Sequence, residues 1–348
     1  PALRAWRKPL WRVALPPTLR VIMGPGCPVC VTDAPEVDEA VALADAGLRV
    51  ATYGDMLRVP GSARSLDDAR AEGARVDVVY GVAEAARAAA AAPDEPYVFF
   101  ASGFETTAVA PAAVLLRDPP QNLFVLSAHK YIPPVMEIVA EMPETRVEGF
   151  LAAGHAAAIT GWGVFEPFVA RHGIPVVVGG FEPLDILAGF ARLAELVNAG
   201  EARVDNAFPR MVTREGNRRA QAQLWAVFEP AGGQWRGITR GPNGNLRLRP
   251  AFAARDARLR FAGVLAAATP PGVAPRADEC RCGDILAGIA GPGDCALFGA
   301  PCTPATPVGA CMVSSEGTCR IWHEYGGVPD LRVGAPAAPT PRAAEGRR

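Results

Sequence analysis

Six of the eight cysteines in this chain lie close together near its C-terminal end. The segment that holds them has few large apolar residues, so it cannot bury enough surface to fold by hydrophobic packing alone. A bound metal would order it, because the free energy of metal binding becomes free energy of folding. Thiolates are the ligands of iron–sulfur clusters and of structural zinc. The six residues are Cys280, Cys282, Cys295, Cys302, Cys311 and Cys319.

The spacing of these cysteines favours an iron–sulfur cluster. Structural zinc sites usually show two short Cys-x₂₋₄-Cys pairs, and that pairing is absent here. A cubane cluster takes four thiolates, which can come from irregularly spaced loops. Zinc and unmetallated thiols are the alternatives to a cluster. Among the ligands, Cys282 is the substitute for Cys280, and Cys311 is a weaker substitute. The predicted ligands of a [4Fe-4S] cluster are Cys280, Cys295, Cys302 and Cys319.

A second cysteine motif, Cys27-Pro-Val-Cys30, lies near the N-terminus between a predicted strand and a predicted helix. Two thiols at this spacing can close a disulfide, and the dipole of the following helix lowers the pKa of the nearer thiol. Half of a zinc site is the alternative, but no second pair lies nearby in the sequence. The motif predicts a redox-active dithiol. A dithiol and a cluster in one chain predict electron transfer between them.

The elements that must position these groups form an α/β pattern. Continuously apolar strands that alternate with helices are typical of parallel sheets covered on both faces. Asp33 and Glu36 predict a capping box at the first helix, and the echo between Gly103-Phe-Glu and Gly180-Phe-Glu favours two similar halves. The predicted strands are 19–23, 76–80, 97–101, 123–127, 147–152 and 174–178. The predicted helices are 35–46, 65–72, 82–92, 107–116, 134–141, 164–171 and 183–199.

The pattern changes after residue 206. A helix is predicted at 216–227, followed by strands at 234–239 and 245–248 that flank a turn at 241–244. The predicted fold class is α/β, with two similar parallel-sheet α/β domains and a Cys-rich C-terminal iron–sulfur domain. The predicted domains are 19–118 with the Cys-x-x-Cys motif, 119–205, and 206–330 with the cluster, which 1–18 would join. Residues 331–348, rich in Ala, Pro and Arg, predict a disordered tail.

Polar side chains follow several of the predicted strands. In parallel α/β sheets, ligands bind beyond the carboxyl ends of the strands. Glu105, His129 and His155 lie at such positions, so we expect them to contribute to one site. A helix-cap contact is the alternative for the glutamate, and a structural hydrogen bond is the alternative for each histidine. No spacing matches a phosphate-binding loop, which argues against nucleotide binding.

Composition narrows the function classes. The net charge is −1 and charged residues make up 20% of the chain, so no strong field attracts nucleic acid or an anionic membrane. No apolar run reaches the roughly 18–20 residues that span a bilayer, and residues 1–20 lack the hydrophobic segment of a signal peptide. A cytoplasmic protein is therefore expected. Reducing compartments keep thiols free, which favours cysteines that are ligands or catalysts.

These motifs together resemble the HypD family of hydrogenase maturation factors, over roughly residues 19–325. The family carries a Cys-Gly-x-His motif before its Gly-Pro-Gly-Cys segment, and residues 1–11 of this chain contain neither Cys nor His. The matching stretches are Gly24-Pro-Gly-Cys-Pro-Val-Cys30, Thr52-Tyr-Gly-Asp-Met56, Gly103-Phe-Glu-Thr-Thr107, His129-Lys130, Gly154-His-Ala-Ala-Ala-Ile-Thr-Gly161, Gly180-Phe-Glu-Pro183, Glu215-Gly-Asn217, Cys302-Thr-Pro304 and Met312-Val-Ser-Ser-Glu-Gly-Thr-Cys319.

The resemblance implies a redox scaffold on which the Fe(CN)₂CO part of the [NiFe] hydrogenase centre is assembled. It implies two α/β domains, a third domain with a [4Fe-4S] cluster, and transient mononuclear iron with CN and CO ligands. Cys27 and Cys30 would relay electrons from the cluster, and Glu105, His129 and His155 would line the cleft that holds the iron. The implied partners are a HypC-type small chaperone and a HypE-type cyanide donor.

Two other functions fit the same residues. An iron–sulfur-dependent disulfide reductase acting on a protein partner would use the same cluster and dithiol without an iron site in the cleft. A module that only docks partners would need neither activity. Mononuclear iron bound together with the small chaperone distinguishes the scaffold from both, and turnover on a disulfide substrate would indicate the reductase.

Overall fold

The structure is a computed structural model that describes residues 19–238, 240–268 and 279–325. Its first unit is a parallel sheet of β1 (Arg49–Thr52), β2 (Val76–Val78), β3 (Tyr97–Gly103) and β4 (Leu123–His129). The strand order is β2-β1-β3-β4. The surrounding helices are α1 (Pro28–Val31), α2 (Ala34–Asp45), α3 (Gly54–Leu57), α4 (Leu66–Ala71), α5 (Val82–Ala91) and α6 (Glu105–Leu115).

Both faces of this sheet are buried. Successive side chains of β3 point to opposite sides, so they join two different cores. Val98 and Phe100 join the core that includes residues of α2 and α4, whereas Phe99 joins the core that includes residues of α5 and α6. Helix α2 begins with the predicted capping box, in which the Glu36 carboxylate accepts a hydrogen bond from the Asp33 N–H. The continuously apolar strand pattern thus correctly indicated a doubly covered parallel sheet.

A second parallel sheet has the order β5-β6-β7. Two parallel-sheet units and a Cys-rich C-terminal region confirm the predicted α/β fold class. β4 lies beyond the boundary predicted at residue 118, yet it pairs with β3 along its full length; the extent of each independent domain stays a prediction. The strands are β5 (Phe150–Ala153), β6 (Val176–Gly179) and β7 (Val204–Asn206), and the helices are α7 (Ile132–Glu141), α8 (Gly154–Thr160), α9 (Glu166–His172) and α10 (Pro183–Ala199).

After the second sheet, α11 (Arg218–Val227) leads into an antiparallel hairpin of β8 (Phe228–Gln234) and β9 (Arg240–Leu248). The turn predicted at 241–244 is wrong, because those residues lie inside β9 and the chain reverses at 235–238. A register shift between Ala231 and Gly233 absorbs the turn-type residues, and Asn243 adopts a positive φ of 61°. Bulges accommodate such residues within strands.

The strand predicted at 19–23 is also wrong, because these residues form no regular element. The apolar side chain of Ile22 instead packs against the backbone of Gly288 in the Cys-rich region. The pattern missed β1 and β7, which the structure adds to the two sheets. A short apolar run indicates burial, and only tertiary contacts decide whether it becomes a strand.

Short helices build the rest of the described chain. None of the helices in the described ranges combines the length and hydrophobicity that a bilayer crossing requires. The predictions for residues 1–18 and for the tail at 331–348 lie outside the described residues. The helices are α12 (Ala257–Arg260), α13 (Ala262–Ala267), α14 (Cys282–Leu286), α15 (Ala310–Val313) and α16 (Thr318–Tyr325), with 3₁₀ turns at Trp162–Phe165, Pro250–Arg255 and Pro292–Asp294.

Candidate metal and redox site

The two N-terminal cysteines form a disulfide at the start of α1. Cys27 is the N-cap of this helix, and its sulfur accepts a hydrogen bond of 3.2 Å from the Cys30 N–H. Cys30 lies within α1, shortly before α2 begins, as expected for a cysteine close to a helix start. Both side chains are buried, at 2% and 0% exposure. The structure therefore places the Cys-x-x-Cys motif inside the protein.

The C-terminal cysteines surround a common cavity. All four predicted cluster ligands line it, together with Cys282 and four other residues. Cys311 is fully buried but does not line the cavity. The structure thus brings the predicted ligands together and leaves Cys280 and Cys282 both in position to act as the first of them. The lining residues are Cys280, Cys282, Ile285, Cys295, Phe298, Cys302, Gly309, Met312 and Cys319.

The cavity wall is shaped around sulfur atoms. A Cβ atom at Gly309 would lie 2.5 Å from the Cys282 sulfur and 2.6 Å from the Cys280 sulfur, so only glycine fits between this loop and the thiols. The Cys302 sulfur accepts a hydrogen bond of 3.3 Å from the Val308 N–H. Backbone N–H donors of this kind stabilise thiolate ligands and tune cluster potentials. The donor set and the cavity therefore fit an iron–sulfur cluster.

Three of the C-terminal thiols have pKa values raised above the usual range. Hydrogen bonding to Cys282, and then burial, raises the pKa of both Cys280 and Cys311. Burial also raises the pKa of Cys302, against the hydrogen bonds from its backbone donors. Because metals bind thiolates, a metal that enters this cavity must displace protons from the sulfurs. Metal binding is accordingly expected to weaken as the pH falls.

The dithiol and the cysteine cavity belong to one continuous buried cluster. Helix α15, which carries Cys311, packs against α1, which carries Cys30. Phe104 and Trp235 join the same cluster, and their ring centroids lie 5.8 Å apart. No sequence pattern indicated that these two regions, separated by most of the chain, would pack together. Their shared environment excludes water from the space between them.

Glu105 is the first residue of α6 and is 1% exposed. Its Oε1 accepts a hydrogen bond of 3.3 Å from the Ile132 N–H at the start of α7. Its Oε2 has no hydrogen-bond partner among the described residues. Burial raises the pKa of Glu105 to about 7, and the hydrogen bonds only partly oppose this shift. The carboxyl group can therefore take up or release a proton near neutral pH.

His129 is the last residue of β4 and is fully buried, with its ring against Phe228 of the hairpin. Its Nδ1 lies 3.0 Å from the Ser127 hydroxyl, which itself donates to the Leu246 carbonyl oxygen. This arrangement favours a proton on Nδ1 and leaves the Nε2 lone pair without a partner among the described residues. Burial, and then the charge of Lys130, lowers the pKa of His129 to about 3. The ring is thus neutral at physiological pH.

His155 lies in the first turn of α8, and its ring centroid is 4.6 Å from that of Phe181. It remains exposed, in contrast to Glu105 and His129. Desolvation of the ring lowers its pKa, whereas the negative charge of Glu316 opposes that shift.

The sequence did not single out Lys130 as a site residue, although it follows His129. Its side chain is fully buried, and its Nζ donates to Glu36 Oε2 at 2.8 Å, the Gln234 carbonyl oxygen at 2.8 Å and Asn245 Oδ1 at 3.1 Å. These bonds satisfy all three ammonium donors. The Glu36 carboxylate therefore both caps α2 and neutralises Lys130. A lysine directly after a strand-end histidine was the available signal.

We expect Glu105→Gln to become progressively more stable relative to the parent protein as the pH rises. The folded state holds the Glu105 proton up to a pKa of about 7, whereas the unfolded state releases it near 4.5. The native carboxyl group therefore stabilises the fold at low pH and loses that contribution as the pH rises through 7. The difference in unfolding free energy between the two proteins should shift by about 2–3 kcal/mol between pH 5 and pH 8.

Urea denaturation at the two pH values measures this shift. Glu182 occupies the same position in the second Gly-Phe-Glu sequence but is exposed, so Glu182→Gln is the matched control and should show little pH dependence. An equal response of both variants would show that Glu105 is not held protonated by burial.

Comparison with known proteins agrees with the resemblance carried by the motifs. The HypD family model, described as "Hydrogenase formation hypA family", matches residues 8–326. The hydrogenase maturation factor HypD of Azotobacter vinelandii is 44% identical over 324 residues, which cover 90% of this chain and 84% of that protein. The hydrogenase expression/formation protein HupD of Azotobacter chroococcum mcd 1 is 42% identical with the same coverage. The HypD of Rhizobium leguminosarum bv. viciae is also 42% identical, over 90% of this chain and 83% of its own length.

Proposed function

Because the chain belongs to the HypD family of hydrogenase maturation factors, we propose that it is the redox scaffold on which the Fe(CN)₂CO moiety of [NiFe] hydrogenase is assembled. The observation that carries the proposal is the single buried cluster that joins the Cys27–Cys30 disulfide to a cavity lined by five cysteines. A scaffold that reduces its cargo needs an electron store next to a two-electron thiol couple. The proposed site of action is the cytoplasm.

In this proposal Cys280, Cys295, Cys302 and Cys319 hold a [4Fe-4S] cluster, which supplies electrons one at a time when bound. The Cys27–Cys30 disulfide takes up two electrons and two protons to give two thiols, and the electrons come ultimately from a low-potential one-electron donor protein. Burial of the disulfide at 2% and 0% exposure protects the resulting thiols from bulk oxidants.

The iron is cargo, and we propose that it is handled by the polar groups at the strand ends. His155 is the exposed member, and in this proposal it contacts the iron or one of its ligands. The Glu105 carboxyl group moves a proton at Oε2, since its pKa lies near neutrality. His129 has a positioning role in this proposal, since its hydrogen bond with Ser127 fixes the buried end of β4. A HypC-type chaperone would bring the iron, and a HypE-type partner would donate the cyanide-derived ligands.

The test is the iron and acid-labile sulfide content, with Mössbauer spectra, of protein purified anaerobically together with its small chaperone. The proposal expects about four irons as a cubane plus about one low-spin iron per chain. A cubane without the additional iron would overturn the scaffold function and leave only a redox module. Zinc in place of iron would overturn both.

The disulfide reductase is the second candidate, and the bond between Cys27 and Cys30 is the observation that favours it. Burial of both sulfurs argues against it, because a protein disulfide could not reach them without local opening. Reduction of a model disulfide substrate over many turnovers, with no mononuclear iron in the chaperone complex, would support the reductase instead of the scaffold.

A further inference from the structure

Residues 235–238, where the chain reverses between β8 and β9, connect the segment after the dithiol to the wall of the cysteine cavity. We call them the hairpin tip. Trp235 anchors it, because its indole is 1% exposed and donates to the Gly244 carbonyl oxygen at 2.8 Å. The neighbouring Arg236 and Gly237 contact two different parts of the buried cysteine cluster. The Trp235 side chain therefore fixes the hairpin tip to the rest of the hairpin, and Arg236 and Gly237 make the contacts with the cysteine cluster.

Arg236 holds the segment that follows the dithiol. Its backbone N–H donates to the Val31 carbonyl oxygen at 3.1 Å. Its guanidinium group donates to the Thr32 carbonyl oxygen at 2.7 Å and to the Pro60 carbonyl oxygen at 2.6 Å. Two of these hydrogen bonds fix the end of α1, the helix that carries Cys30, and the third ties it to the Pro60 segment. The planar guanidinium fork makes this geometry specific to arginine.

Gly237 holds the other side of the bridge. It has a φ of +69°, and a Cβ atom there would lie 2.7 Å from the Cα of Gly283. A Cβ atom at Gly283 would in turn overlap the Gly237 carbonyl oxygen. The hairpin tip therefore lies in direct backbone contact with the first turn of α14, which begins at Cys282 in the cavity wall.

The charge of Arg236 lacks an ordinary partner. Both side-chain hydrogen bonds go to neutral carbonyl oxygens, and no carboxylate forms an ion pair with it among the described residues. Burial lowers the pKa of Arg236, and the nearby negative charges that oppose this shift are those of Cys282, Asp33, Cys280 and Cys311. Arg236 is only partly exposed, so its charge is stabilised by a nearby counter-charge. The contact of Gly237 with Gly283 brings the hairpin tip against the cavity wall, where sulfurs that ligate a metal are negatively charged.

We propose that Arg236 is the counter-charge of the cysteine cavity and the positioning residue that fixes the Cys27–Cys30 segment beside it. The inference rests on the proposed function, since it assigns a role within the same redox site. A fixed cation favours the more negative state of its neighbour, so Arg236 raises the reduction potential of a cluster bound in the cavity. It also holds the dithiol in one orientation relative to that cluster.

The test compares Arg236→Met, which removes the charge and keeps the aliphatic stem, with Arg236→Lys, which keeps the charge and loses the fork. Arg219→Met, on the exposed surface of α11, is the matched control. The first readout is the cluster midpoint potential of anaerobically purified full-length protein, from a reductive titration followed by electron paramagnetic resonance. Arg236→Met should lower the equilibrium constant for one-electron reduction about tenfold, about 59 mV. Arg236→Lys and Arg219→Met should stay within about threefold of the parent.

The second readout isolates the dithiol. Trypsin releases residues 21–49 as one peptide whose only cysteines are Cys27 and Cys30, so alkylation and mass spectrometry report their redox state after equilibration with glutathione. Both Arg236 variants lose the fork to Thr32, and both should shift this equilibrium about tenfold, which is about 30 mV for a two-electron couple. Arg219→Met should leave it unchanged.

The outcomes separate this inference from the proposed function. A parent protein without a cluster overturns the proposed function, and the dithiol equilibrium then decides the positioning role by itself. Parent-like values of both readouts in Arg236→Met overturn the role of Arg236. If Arg236→Met fails to fold, Arg236→Lys decides: a shifted dithiol equilibrium with a parent-like cluster potential supports the inference, and two unchanged values overturn it.

Discussion

Cys302→Ser is expected to reduce the iron content of the anaerobically purified protein from about four per chain to near zero. The Cys302 sulfur lines the cavity and accepts the Val308 N–H hydrogen bond that prepares it as a ligand. Because the free energy of metal binding is also free energy of folding in this region, the same substitution should expose the segment around it to proteolysis. Iron and sulfide analysis, together with limited trypsin digestion, measures both effects.

Cys311→Ser is the matched control, since Cys311 is as deeply buried as the ligands but lies outside the cavity lining. It should retain the cluster. Cys280→Ser and Cys282→Ser then decide between the two sulfurs that the structure leaves equivalent, and only one of the two should lose iron. Loss of iron in Cys311→Ser with retention in Cys302→Ser would show that the predicted ligand set is wrong.

Lys130→Met should lower the free energy of unfolding by about 3–5 kcal/mol. The substitution preserves the apolar volume but leaves the Glu36 carboxylate buried without its cation, together with unpaired oxygens of Gln234 and Asn245. The double variant Glu36→Gln/Lys130→Met should recover at least half of the loss, because glutamine still caps α2 and carries no charge. Urea denaturation of the three proteins at neutral pH measures these differences.

The control is an ion pair of a glutamate with a basic side chain at the surface. Arg75 and Glu95 lie 3.0 Å apart but are 49% and 43% exposed, so Arg75→Met should cost no more than about 1 kcal/mol. A comparably small effect of Lys130→Met would contradict the buried network. No recovery in the double variant would show that the loss arises from packing and not from the uncompensated charge.

The sequence predicted the elements that are defined by local pattern. Long apolar runs such as 97–101 and 123–127 became strands because two covering layers demand continuous hydrophobicity, and the helix predicted at 183–199 matches α10 in full. The errors arose where local pattern and tertiary context disagree. The side chain of Ile22 contacts Gly288 in the Cys-rich region instead of joining a sheet, and Pro242 and Asn243 lie inside β9 because a register shift accommodates them.

The parts of the candidate site that depend on residue type and spacing alone could be predicted from the sequence. Cysteine spacing picked out the sulfurs that line the cavity, and position after a strand drew attention to Glu105, His129 and His155, whose shared site stays a prediction. The pairing of Lys130 with Glu36, and of Arg236 with Thr32, joins residues far apart in sequence. Neither pairing leaves a local signature, because the first depends on how α2 packs beside the end of β4 and the second on how the hairpin packs against the first sheet unit.

The packing of the hairpin and the Cys-rich region onto α1 and α2 has a consequence for how the protein is made. A ribosome that adds about 5–20 residues per second needs tens of seconds to travel from Cys30 to Cys302. Throughout that interval the nascent chain has Cys27 and Cys30 but lacks the complete Cys-rich region that packs on them in the finished fold. The newly synthesised dithiol is consequently open to oxidants, metals and chaperones until translation nears its end.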